Sequence, residues 1–189
     1  MSLNSKFFYK ENENGITITG YKFCNGGISW NYYYSILSHI DIPNIIDGKI
    51  VNSIGNSAFS GLKWLSNVTI PNGVITIEQY AFYNCSSLCY IDIPNSVTYI
   101  DNCSFNGCTR LKKINLSQSL TFIGKHTFSN CSAINQIIIP KSVIEIGNLA
   151  FFNCKNLKKI IFKNRKNLDN IKIAENWKDN CNAEIIFEP

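Results

Sequence analysis

The chain has 189 residues, 45% of them apolar, with 18 basic and 13 acidic side chains and a formal net charge of +5. This composition excludes a disordered or collagen-like chain and is too weakly basic to argue for nucleic acid. No apolar run approaches the ~18 residues of a membrane span. No N-terminal stretch has the order of a signal peptide, and the two histidines leave little for acid–base or metal chemistry.

In chain order, residues 1–39 read as an N-terminal capping segment. Ile16 and Ile18 precede Ile40 and Ile42 by 24 residues, which suggests a degenerate first unit. Residues 40–162 carry five repeats. Val68, Ile91, Ile114, Ile137 and Ile160 are each 23 apart, as are Phe59, Phe82, Phe105, Phe128 and Phe151. Ile54, Ile77, Ile100, Ile123 and Ile146 form a third column, and Leu65, Leu88, Leu111, Ile134 and Leu157 a fourth. Cys85, Cys108, Cys131 and Cys154 form a fifth. The first repeat is longer, with 28 residues from Pro43 to Pro71; the excess falls near Asp47-Gly48, a turn signal, and reads as a surface loop. Residues 163–189 read as a C-terminal capping repeat, in which Ile185 and Phe187 follow Ile160 and Phe162 by 25. Phe7, Phe8, Tyr9, Trp30 and Trp177 lie in the end segments, where exposed core needs a lid.

Each column has a physical task. Ile91-x-Ile93 is a short alternating strand ended by Pro94; Pro43, Pro71 and Pro140 stand at the same place, and Ser117 replaces them once. Val97-x-x-Ile100 reads as a second extended piece, with Gly55, Gly124 and Gly147 as turn residues after it. Ala81-Phe82 and its equivalents read as a short helical turn. Gly61, Asn84, Gly107, Asn130 and Asn153 precede the cysteine position, and these residue types predict a left-handed backbone there. A single unit cannot bury its apolar side, so the units must stack.

The stretch L-C-Y-I-D-I-P-N-S-V-T-Y-I-D-N-C-S-F-N-G-C, from Leu88 to Cys108, resembles the BspA-type, or Treponema pallidum type, leucine-rich repeat. The proline, Ala-Phe and cysteine positions separate that pattern from other leucine-rich repeats. The resemblance covers residues 40–162 closely. It implies a right-handed, β-rich leucine-rich repeat solenoid with a parallel sheet on the concave side and short helical or 3-10 turns outside it. It also implies a surface or secreted protein of the adhesin kind.

The four column cysteines read as buried free thiols, because stacked strands sit about 4.8 Å apart while a disulfide wants Cβ atoms about 3.8 Å apart. Cys24, Cys89, Cys103 and Cys181 read as off the column, and zinc-site spacing is absent. No metal and no cofactor are expected. His39 and Asp41 share a strand face, with Ser66 or Thr69 as the nearest hydroxyls; they read as a solvated polar pair, and no catalytic residue is assigned. His126 falls in register with Tyr80 and Leu149, with no partner to name.

Residues alternating with the core positions predict the concave surface: Asn67, Tyr90, Lys113, Gln136 and Lys159 in one column, and Thr69, Asp92, Asn115, Ile138 and Ile161 in the next. Ile138 and Ile161 are expected side by side as a small apolar patch. Lys112 and Lys158 add to Lys113 and Lys159 two coils apart, in the half of the chain that carries the excess positive charge. These residues are the expected binding surface of a monomeric, non-enzymatic module. Its expected partner is a protein or anionic polymer, host extracellular matrix included, and not specifically nucleic acid. The alternative expectation is a spacer in a longer surface protein, with no ligand of its own.

Overall fold

The structure, a computed structural model, describes residues 6–22 and 38–188. The segment holding Cys24 and Trp30 lies outside the described residues. The described chain winds as a solenoid of strands and turns with no α-helix. The short helical turns expected around the phenylalanines are therefore replaced, for a reason given below.

The I-x-I-P strands stack in parallel on one side. His39–Asp41, Asn67–Thr69, Tyr90–Asp92 and Lys113–Asn115 form one ladder, with Ile40, Val68, Ile91 and Ile114 in register. Gln136–Ile139, Lys159–Lys163 and Glu184–Glu188 form a second. The second extended pieces make another, longer parallel sheet through Ile54, Ile77, Ile100, Ile123, Ile146 and Ile173. Each coil thus contributes one strand to each of two faces, and the apolar side chains between them form a single core.

Backbone geometry at the phenylalanine turns explains the missing helix. Two positions per coil have positive φ. One is the expected column, Gly61, Asn84, Gly107, Asn130 and Asn153. The other, four residues earlier, is Ser57, Tyr80, Cys103, His126 and Leu149, with φ between 54° and 58°. A left-handed residue there stops a helix from propagating. It also turns alternate amides along the solenoid axis: Ser57, Phe59 and Gly61 N–H donate to Gln79, Ala81 and Tyr83 carbonyls one coil on. The amides of Ala58, Ser60 and Leu62 close local turns instead, on Gly55, Ser57 and Phe59. The same alternation recurs at Tyr80–Cys85 and Cys103–Cys108, and at His126–Cys131 for every amide but that of Thr127.

The phenylalanines stack face to face through the core. Successive ring centroids from Phe59 to Phe151 lie 5.2, 5.2, 5.6 and 5.5 Å apart, and all five rings are fully buried. Trp177 meets Phe151 edge-on at 5.7 Å and so ends the stack. Gly55, Gly124 and Gly147 serve close approach rather than a turn. Their φ is not left-handed, but a Cβ would stand 2.6–2.8 Å from an atom of the preceding coil's segment.

The two ends differ from expectation in detail. Ile16 and Ile18 lie in the strand Gly15–Tyr21, which pairs with Lys49–Ile54; Ile18 is in register with Ile54, and so heads the second sheet's column rather than that of Ile40. Phe7–Asn12 closes that edge antiparallel. Phe7 is buried against Tyr21, but Phe8 and Tyr9 point outward and are no part of a lid. The expected loop at Asp47-Gly48 is a β-hairpin, Ile45–Ile46 against Lys49–Ile54. Its two turn residues have φ of 49° and 77°, as the favoured two-residue hairpin turn requires. At the C-terminus, Lys159-Ile-Ile-Phe-Lys163 pairs in register with Glu184-Ile-Ile-Phe-Glu188, so identical apolar centres meet between opposite charges.

Two outcomes test this packing. Phe105→Ala removes a ring stacked on both sides, and should lower unfolding free energy by about 3–5 kcal/mol in a denaturant titration. Ser57→Gly relieves a left-handed residue on the surface, and should raise it by up to about 1 kcal/mol, while Ala58→Gly next to it should lower it.

Candidate functional site

The outer face of the first ladder is built by the strand period: as Val68, Ile91 and Ile114 point inward, their neighbours point out. Asn67, Tyr90 and Lys113 align, and Asp92 and Asn115 pair beside them. Gln136 aligns with Lys159, and Lys159 with Glu184. The alignment holds within each ladder and is interrupted between Lys113–Asn115 and Gln136–Ile139. Asn67, Thr69, Asp92, Lys112, Lys113, Asn115, Gln136, Lys158 and Lys159 are exposed, and Tyr90 is half-buried.

Two grooves lie on this face. The first, about 360 Å³, has His39, Asn67, Thr69, Asn72, Tyr90 and Asp92 in its walls. The second, about 440 Å³, is lined by Lys112, Lys113, Asn115, Asn135, Gln136 and Ile138. It sits where ladder pairing is interrupted, between Lys113–Asn115 and Gln136–Ile139. At neighbouring steps the amides of Cys89, Lys112 and Lys158 donate to Ser66, Cys89 and Asn135 carbonyls. Asn135 N–H makes no such bond to Lys112. Lys158 and Lys159 stand on the next coil, outside this groove.

Ile138 and Ile161 are adjacent, as expected, but unequal. Ile138 is 38% exposed and Ile161 only 7%. Ile161 lies between Ile138 and Ile186, so the final strand covers it. The accessible apolar contact is Ile138 alone of that pair.

Polar side chains of the first groove hold one another. Asn115 Nδ2 donates to Asp92 Oδ1 at 2.8 Å and to the Tyr90 hydroxyl at 3.2 Å. Lys113 Nζ lies 5.8 Å from the Tyr90 ring centre. Desolvation, then the Asp92 carboxylate, pushes the Tyr90 phenol above its ordinary pKa. His39 Nε2 lies 2.7 Å from Asp41 Oδ1, and bonding to His39 and then Thr69 holds the Asp41 carboxyl below its usual range. The same nitrogen faces Thr69 Oγ1 at 3.3 Å. A relay to a hydroxyl nucleophile needs the two ring nitrogens to serve different partners, so this trio is not one. Ser66 Oγ already donates to the Ser38 carbonyl at 2.8 Å. Among the described residues, no group of three or more His, Cys, Asp or Glu is placed to hold a metal ion.

The column cysteines are free and buried. Each thiol donates to a phenylalanine carbonyl of the preceding coil, Cys85 to Phe59 and Cys108 to Phe82, at 3.1–3.2 Å. Cys131 and Cys154 do the same to Phe105 and Phe128. Cys181, expected off the column, continues it. It is buried and follows the left-handed Asn180, as Cys154 follows Asn153. His126 also has a partner: its Nδ1 lies 3.1 Å from Ser129 Oγ.

Burial pushes the Cys85 and Cys154 thiols up to about 12, and those of Cys108 and Cys131 well above the ordinary thiol range. The folded state thus favours the neutral thiols. Their stabilising effect is complete below the unfolded thiol pKa of about 8.5, and is lost as pH rises through the folded values. Unfolding free energy should fall between pH 9 and 10.5 by about 1.4 kcal/mol per pH unit for each thiol. Cys108→Ala with Cys131→Ala should flatten that slope in urea titrations at several pH values. At pH 8 without denaturant, a thiol reagent should label exposed Cys89 and leave the column unlabelled.

The model of the BspA type leucine-rich repeat region matches residues 29–158, in six copies. Among solved structures, the leucine-rich repeat protein of T. pallidum is 30% identical, with a TM-score of 0.73; the match covers 83% of this chain and 69% of that one. A leucine-rich repeat protein from Bacteroides ovatus is 28% identical, with a TM-score of 0.74; that match covers 97% of this chain and 52% of that one. One from Eubacterium ventriosum, 20% identical with a TM-score of 0.56, covering 97% of this chain and 52% of that one, shares the fold. No curated protein matches. The family model spans more than half of the sequence, and the chain belongs to the BspA-type leucine-rich repeat family.

Proposed function

We propose that this member of the BspA-type leucine-rich repeat family is a non-enzymatic interaction module that holds an acidic macromolecule against the outer face of its I-x-I-P strands. The observation that carries this reading is the groove at the ladder interruption. There Lys112 and Lys113 stand beside the polar ends of Asn115, Asn135 and Gln136 and the accessible Ile138. Lys158 and Lys159 extend the positive field one coil beyond Gln136, and Glu184 bounds it. Long-range attraction from such a cluster speeds encounter with an anionic partner, and the apolar contact then holds it. Family resemblance supports a cell-surface or secreted setting, in which extracellular-matrix proteins and anionic polysaccharides are the available partners.

A spacer role is the second reading. It draws on the match to the Bacteroides ovatus protein, which covers only 52% of that chain.

Screening the chain against matrix proteins and anionic polysaccharides separates the two. Replacing Lys112, Lys113, Lys158 and Lys159 by Ser should weaken binding to a partner at least tenfold, and should reduce the salt dependence of its affinity. Stability should change by less than about 0.5 kcal/mol, because the four side chains are exposed. Unchanged affinity in the quadruple variant would move the site elsewhere. A screen with no binder would favour the spacer.

A further inference from the structure

We infer that the outer face of the I-x-I-P strands, from His39 to Gln136, is built for an acidic glycan lying along the solenoid axis, with neutral sugar over the first groove and a carboxylate-bearing sugar over the second. This rests on the binding role proposed above, and names its ligand class. The two grooves are continuous in chemistry. Asn115 lines the second, and its amide is hydrogen-bonded to Asp92 and Tyr90 of the first. Together they run from the coil of His39 to the coil of Gln136. Four coil steps at about 4.8 Å make a trough of about 19 Å.

The two halves demand different things of a ligand. In the first, the Asn67 and Asn72 side chains make no hydrogen bond within the described protein, and each offers a donor and an acceptor. Asp92 is exposed, and its carboxylate, held by Asn115 and Tyr90, can still accept from a ligand hydroxyl. Vicinal hydroxyls, which donate and accept at once, suit such groups, and the Tyr90 ring supplies an apolar face. Asp92 in this groove, and Asp41 beside it on the strand of His39, repel a uniformly charged polyanion there. The second half reverses the sign: Lys112 and Lys113 line it, Lys113 also reaching over the Tyr90 ring, and Asn135 N–H, which makes no backbone bond among the described residues, can donate to a carboxylate.

Spacing selects among polymers. An extended peptide advances about 3.3 Å per residue, and its same-face side chains recur at about 6.6 Å, so along this axis it slips out of step with coils about 4.8 Å apart. A pyranose residue spans about one such step. Nucleic acid is disfavoured by the two aspartates and by Tyr90 being the single Phe, Tyr or Trp among the described residues that line the two grooves.

The test is titration calorimetry on the full chain with three probes. They are an unsulfated octasaccharide alternating uronic acid with N-acetylhexosamine, its carboxyl-reduced form, and poly-glutamate. The parent should bind the acidic octasaccharide at least tenfold more tightly than either other probe. Asn67→Ala with Asn72→Ala, and separately Lys112→Ser with Lys113→Ser, should each weaken that binding at least tenfold with the unfolding midpoint unchanged. Poly-glutamate binding as tightly, or an asparagine pair without effect, overturns the glycan assignment. If the octasaccharide does not bind while the lysine variants still lose a protein partner, the glycan assignment falls and the interaction role stands.

Discussion

No coil of this chain can bury its own apolar side; only the coils above and below can do so. Register along the axis is therefore the constraint on which the rest depends. Three sets of interactions hold it. The phenylalanine rings stack at 5.2–5.6 Å, the isoleucine columns on the two faces pair in register from coil to coil, and alternate amides of each turn donate to the next coil. The cysteine thiols add a fourth, small tie by donating to the carbonyl of a stacked phenylalanine. Larger side chains at the cysteine position would strain a fully buried column.

The same register makes a functional surface. Side chains that alternate with the core must repeat at coil spacing, so five coils present a grid whose geometry is rigid and whose chemistry is free to vary. On this chain the chemistry changes along the axis, from Asn67, Asp92 and Asp41 to Lys112, Lys113 and Lys159. The grid also has a fault. Where ladder pairing breaks between Asn115 and Gln136, the Asn135 amide, without a backbone partner among the described residues, lies beside Lys112 and Lys113. The closing strand Glu184–Glu188 sets the other boundary, covering Ile161 and placing Glu184 beside Lys159.

Most of this was legible in the residues because a 23-residue period repeats every physical requirement. Burial of the five columns, the turn after each I-x-I-P strand and the left-handed backbone before each cysteine follow directly. Requirements carried by backbone alone were not legible. The second left-handed column is filled by Ser57, Tyr80, Cys103, His126 and Leu149, which share no chemistry, so nothing marked it. The glycine column was assigned to turns, although it is close approach between coils that needs it. Position was also obscured where the period changes. Cys181 lies 27 residues after Cys154, so its place in the thiol column was hidden. Ile18 fits a 24-residue offset to Ile42, yet pairs with Ile54. The difference in exposure between Ile138 and Ile161 depends on where the last strand docks, which the repeat pattern does not state.

Native-state hydrogen exchange tests the dependence on axial register most directly. The amides of Phe59, Phe82, Phe105 and Phe128 donate only to the neighbouring coil. If stacking is the source of stability, these four amides exchange through one shared opening whose free energy approaches that of global unfolding. Separate opening free energies for the individual coils would contradict the account, as would a Phe105 amide exchanging as fast as that of Gly48 in the exposed hairpin turn.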